Sequence, residues 1–120
     1  MKQYLIVTFI TIFFLSACLK KRVPVITIYK PTNGEVFIAP HTIEISGEIY
    51  DSDAVLTAYI TVTKVNAAND TILDFRDHSI LTKYSFNQSF ISEPHSNYKI
   101  CITTLGHSTW VTDSLFVSTQ

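Results

Sequence analysis

Asp51-Ser52-Asp53 is the most chemical-looking cluster in the chain. Two carboxylates one residue apart suit a hard cation such as calcium, which collects oxygen ligands. The competing reading is a turn, because short acidic side chains cap backbone amides. Four histidines stand at His41, His78, His95 and His107, and none has the close spacing of a zinc site. Three of them precede a serine: His78-Ser79, His95-Ser96 and His107-Ser108. Sequence neighbours on an extended chain point to opposite faces, whereas a nucleophile and its base need hydrogen-bond reach. No Gly-x-Ser-x-Gly, His-Glu-x-x-His or glycine-rich phosphate loop occurs, and the chain holds only 3 glycines. The expectation is a protein without catalysis, cofactor or resident metal, with Asp51 and Asp53 as a minor calcium candidate. Trp110, with Tyr29, Tyr50 and Tyr59, is a candidate aromatic binding face, weighed against ordinary packing on the sheet surface.

The elements that position these residues read as strands. From Val23 onward apolar residues recur with period two, the signature of a half-buried strand. Ile43, Ile45, Gly47 and Ile49 fall on one face of Thr42 to Tyr50. Leu56, Ala58, Ile60 and Val62 do so in Leu56 to Val65, as do Tyr84, Phe86 and Phe90 in the segment 84–90. Tyr98, Ile100 and Ile102 share a face in Tyr98 to Thr104, which turns Cys101 away as a half-buried passive thiol or a site for an intermolecular disulfide. Val25 to Tyr29 and Thr71 to Phe75 are shorter candidates. Trp110 to Val117 can bury either parity. Pro31-Thr32-Asn33-Gly34 is a strong turn signal. Further breaks fall at Asp51 to Asp53, Asn66 to Asp70, Glu93-Pro94 and Gly106. No stretch reads as an amphipathic helix. About seven short strands predict an all-β, antiparallel two-sheet sandwich over residues 24–120.

The N-terminus is different. Met1 to Tyr4 carries one charge, Lys2; Leu5 to Leu15 is apolar apart from threonines; then comes Leu15-Ser16-Ala17-Cys18. This order is that of a secretory signal peptide. Leu-Ser-Ala-Cys resembles the lipobox of bacterial lipoproteins. The resemblance implies a signal peptide over 1–17, a lipidated N-terminus at Cys18 and a basic linker over 18–23. The competing reading is an uncleaved membrane helix. Its apolar stretch, Tyr4 to Leu19, is short of the roughly 20 residues a bilayer needs. Lys20, Lys21 and Arg22 favour it, because positive charge tends to stay cytoplasmic.

The chain has 9 basic and 10 acidic residues. Losing Lys2 leaves 8 against 10, a net charge of about −2, which is no footprint for nucleic acid. With Cys18 taken by lipid, Cys101 stands alone and no intrachain disulfide can form.

Val25-Ile26-Thr27-Ile28-Tyr29-Lys30-Pro31-Thr32-Asn33-Gly34 looks like the opening strand and turn of bacterial immunoglobulin-like domains. Residues 43–51 look like their second strand. Tyr98-Lys99-Ile100-Cys101-Ile102 looks like the sixth, with Tyr98 placed like a tyrosine corner. With the lipobox, the chain is similar to small Bacteroidota-type immunoglobulin-like lipoproteins. It departs from antibody domains in lacking the inter-sheet cysteine pair. The resemblance implies that the loops after strands two, four and six share one end, bringing Asp51 and Asp53 towards Asp77, His78 and His107. That end would face the membrane. His41, Asn69, Asp70 and His95 would lie at the opposite, partner-facing end. Asp70-Thr71-Ile72 and Asp113-Ser114-Leu115 match the short Bacteroidota O-glycosylation pattern, which makes Thr71 and Ser114 candidate glycan carriers. The expected role is a non-enzymatic, membrane-anchored envelope module whose protein or glycan partner is open. The alternatives are a small-ligand or glycan-binding accessory protein and an inhibitor of a hydrolase. Basic rather than acidic residues follow Cys18, so the outer membrane's periplasmic side is expected over the cell surface.

Overall fold

The computed structural model describes residues 23–55, 57–66, 68–106 and 109–120. The expected signal peptide, Cys18, almost all of the expected linker, Leu56 and His107 lie outside the described residues. Within them the chain is all-β. The strands are β1 (Val25–Lys30), β2 (Val36–Phe37), β3 (Thr42–Tyr50), β4 (Thr57–Lys64), β5 (Thr71–His78), β6 (Lys83–Ile91), β7 (Asn97–Leu105) and β8 (Trp110–Thr119). They form two sheets, of order β1-β3-β6 and β2-β8-β7-β4-β5.

Eight strands among the described residues replace the expected seven, and one pairing is parallel. The added strand, β2, pairs Val36 with Ser118 and Phe37 with Thr119. Two residues are too few to show a period, so nothing in the sequence marks them. Contacts with β8 create the strand. Gly34, at φ +83°, takes the left-handed conformation that favours glycine and turns the chain out of β1. Gly34 N–H then donates to Phe116 O at 2.7 Å, and Phe116 N–H donates to Asn33 Oδ1 at 2.9 Å. Ser118 N–H to Glu35 O and Gln120 N–H to Phe37 O extend the seam. The turn therefore carries the chain from one sheet to the other.

The core lies between the sheets and is mostly β-branched. Ile43, Ile45 and Ile49 of β3 pack with Ile60 and Val62 of β4 and Ile100 and Ile102 of β7, all at 0% exposure. Burying one such side chain is worth about 1.5–3 kcal/mol. In β8 the odd residues win: Leu115, Val117 and Thr119 are buried, while Trp110 and Phe116 face out. Cys101 is half-buried on the outward parity, so the sheets are held together without a disulfide among the described residues.

Two positions bear most directly on this packing. Gly47 sits between Ile28 of β1 and Phe86 of β6. A Cβ there would lie 2.1 Å from Thr27 O and 2.6 Å from Phe86 Cζ. Gly47→Ala must push a strand backbone aside and is expected to cost about 3 kcal/mol, read as a lower urea midpoint. Tyr98 is 1% exposed, tilts against Phe90 at 5.0 Å, and its hydroxyl accepts the Glu93 N–H at 2.8 Å. Tyr98→Phe leaves that amide without its acceptor, so a loss of about 1–3 kcal/mol is expected in chemical unfolding.

Candidate functional site

Two ends of the molecule gather the anticipated residues, and they differ in chemistry. The first end holds the turns after β3, β5 and β7. Asp51 N–H donates to Thr82 O at 2.9 Å and Val55 N–H to Leu81 O at 2.8 Å. These bonds pack the turn after β3 on the turn after β5. Gly106 lies against both Asp51 and Pro24, since a Cβ there would approach Asp51 Oδ2 to 2.1 Å and Pro24 Cγ to 2.7 Å. β1 begins at this end as well.

The carboxylates here are used structurally. Asp51 is 1% exposed, and its Oδ1 accepts the Asp53 N–H at 2.9 Å. This is the turn that short acidic residues build. Asp77 turns towards the other sheet, where its Oδ2 accepts the Tyr84 hydroxyl at 2.6 Å. Its Oδ1 accepts the His78 N–H at 2.8 Å. The His78 ring lies 3.5 Å from Thr57 Oγ1. Among the described residues, no three of His, Cys, Asp and Glu converge as a metal site would require.

The opposite end carries His41, Asn69, Asp70 and His95, all exposed. Asn69 and His95 take positive φ, at 50° and 51°, a conformation that asparagine and histidine tolerate better than most residues. The turns are cross-linked. Ser92 N–H donates to His41 O at 2.9 Å, and Ser96 N–H to Thr119 Oγ1 at 3.0 Å. Lys64 also pairs with Glu93. Beside them opens a groove of about 490 Å³, lined by Lys30, Pro31, Glu35, Phe37, His41, Thr42 and Glu44. Phe37 stacks on His41 with ring centroids 4.9 Å apart, and Lys30 pairs with Glu44 at 3.6 Å. The walls are thus an aromatic plate between opposite charges, a mixed lining suited to a polar ligand with an apolar face. Only His41 of this set stood out in the sequence. The rest come from β1, the turn, β2 and β3, and no local spacing links them.

The aromatic residues divide between sheets. Trp110 stacks on Tyr59 at 5.8 Å, with the Arg76 guanidinium 5.0 Å from the Tyr59 ring, on the outer face of the five-stranded sheet. Tyr29 and Tyr50 lie on the other sheet, so the four do not make one platform. The Glu48 carboxylate near Tyr29 holds its phenol above its ordinary pKa. Thr71 is exposed at the start of an edge strand. Ser114 is exposed in mid-strand, opposite Cys101.

The chain matches no known protein-family model, and no curated protein matches it.

The Asp77–Tyr84 bond ties the edge of one sheet to the other and has a definite pH window. The Tyr84 hydroxyl, then the His78 amide, hold the Asp77 carboxyl below its ordinary pKa. Its contribution to stability is present above about pH 4 and is lost as pH falls through the depressed value. Burial, then the Asp77 carboxylate, push the Tyr84 phenol up to about 12. That contribution is present below about pH 10 and is lost as pH rises towards 12. The stability gap between wild type and Tyr84→Phe, measured by urea unfolding across pH, is expected to be flat between these limits. It should shrink on both sides.

Proposed function

We propose that the chain is a lipid-anchored envelope lipoprotein whose immunoglobulin-like domain acts as a non-enzymatic interaction or structural module. The observation that carries the reading is Leu15-Ser16-Ala17-Cys18 directly after the apolar run Leu5 to Leu15. The strand order supports the immunoglobulin-like part. The first, third and sixth strands form one sheet, and the seventh lies between the fourth and eighth in the other. Such a non-sequential order favours a Greek-key sandwich of this class, with β5 beside β4 and β2 as a short extra strand. The Tyr98 hydroxyl bonded to the Glu93 amide, a few residues upstream, supports it further.

In this reading the outer membrane's periplasmic face holds Cys18, and the end bearing His41, Asn69, Asp70 and His95 meets the partner. The groove beside His41 favours one other reading, a small-ligand or glycan-binding accessory protein, in which Phe37 and His41 would stack on the ligand. Binding on a glycan array that is lost in Phe37→Ala would select it. Crosslinking in cells followed by identification of a protein partner would select the first.

Intact mass of the chain extracted from native membranes is the direct test. The expected mature protein begins at Cys18 carrying a thioether-linked diacylglyceryl group, and Cys18→Ser releases the chain from the membrane fraction. A mature chain with any other N-terminus sinks the reading.

A further inference from the structure

The end where β1 begins also exposes apolar side chains that the fold does not use. Val23, Val25, Tyr50, Ile80, Leu81 and Trp110 are each more than half exposed, and Ile80 reaches 88%. Their proximity follows from the pairing. Val25 lies opposite Tyr50, Tyr50 opposite Lys83, and Trp110 opposite Leu105. Leu81 and Thr82 are bonded to the turn after Asp51, and Pro24 lies against Gly106. Ile80 is held out by a built turn: Leu81 N–H donates to Ser79 Oγ at 3.0 Å while Leu81 O accepts from Val55. Single exposed apolar residues are ordinary, but a group of them at one end marks a contact surface. Val36, Ile38, Val65 and Ile91 are also exposed, at the other end. What sets this end apart is that residues 1–22 lead into it.

We propose that this end is a second membrane contact, resting on the lipid bilayer beside the anchor. Ile80 and Leu81 dip below the headgroups, and Trp110 and Tyr50 lie at headgroup level, where amphipathic rings are favoured. The proposal rests on the lipid-anchored reading. Residues 19–24 alone separate Cys18 from β1, a reach of about 20 Å when extended. A lipid on Cys18 therefore keeps this end within about 20 Å of the surface. Lys20, Lys21 and Arg22 in the same stretch attract anionic headgroups. Lys83 is paired with Glu48 at 3.2 Å, so at the turns themselves apolar contact is the main force. Two points of attachment fix the tilt of the domain, which the anchor alone would leave free.

Trp110 is the sole tryptophan of the chain and serves as the reporter. The full chain, purified from membranes, is placed in vesicles of phosphatidylethanolamine and phosphatidylglycerol bearing brominated acyl chains. Trp110 emission is expected to shift to the blue and to be quenched by the bromines. In an Ile80→Asp/Leu81→Asp variant the chain should still float with the vesicles while quenching falls several-fold. Its thermal unfolding should not move, because both side chains are exposed. Flotation with unquenched Trp110 overturns the contact and leaves the anchor standing. Failure to float overturns both. Flotation of Cys18→Ser with Trp110 still quenched overturns the anchor alone.

Discussion

Apolar contact between the two sheets is the constraint from which the rest of the structure follows. Three isoleucines of β3 meet Ile60, Val62, Ile100 and Ile102 with no exposure to solvent. Branching at Cβ stiffens these side chains, so each is ordered at little entropic cost. The interface must be well packed, because no disulfide supports it: Cys101, the one described cysteine, sits on the outward parity. Gly47 shows how tight the fit is. It lets β1 and the Phe86 ring approach β3 more closely than any side chain would allow.

Polar bonds then close the margins where apolar packing ends. The Asn33–Phe116 and Gly34–Phe116 bonds fasten the turn that leaves β1 to the opposite sheet. Asp77 and Tyr84 tie β5 to β6 across the gap between the sheets. Tyr98 reaches the Glu93 amide, and Thr119 joins Glu93 and Ser96. The bonds of Asn33, Gly34 and Thr119 span elements distant in sequence, whereas Asp77–Tyr84 and Tyr98–Glu93 join neighbouring ones. The turns at both ends are therefore placed by the sandwich-like core rather than by their own composition.

The period-two pattern made most strands legible, because a strand with one buried face writes its environment into alternate residues. β3, β4, β6 and β7 bury the parity their sequences announce. In β8 both parities carry large apolar residues, and only the neighbouring sheet decides between Leu115 and Phe116. β2 was illegible for a different reason: it has no face of its own and exists through backbone bonds to β8. The site residues divide in the same way. Asp51 was readable as a turn former, because capping is local. The groove of Lys30, Glu35, Phe37, His41 and Glu44 was not, because it is assembled from four segments whose meeting depends on the sheet crossing after Gly34.

These constraints give the molecule two unlike ends. The end where β1 begins is closed: Asp51 is buried, Gly106 leaves no room above it, and Ile80 and Leu81 stand outward among polar turn residues. The other end is open, with histidines, carboxylates, exposed Ile38 and Ile91 and a groove standing on cross-linked turns. A strand about 9 residues long, as β3, β6 and β7 are, rises roughly 30 Å. That distance exceeds the Debye length of about 8 Å at physiological salt, so charge at the open end is electrically independent of whatever the closed end rests on. A ligand placed in the groove beside His41 would meet the charges of the groove and its turns alone. The core carries its position to the rest of the molecule through rigid strands.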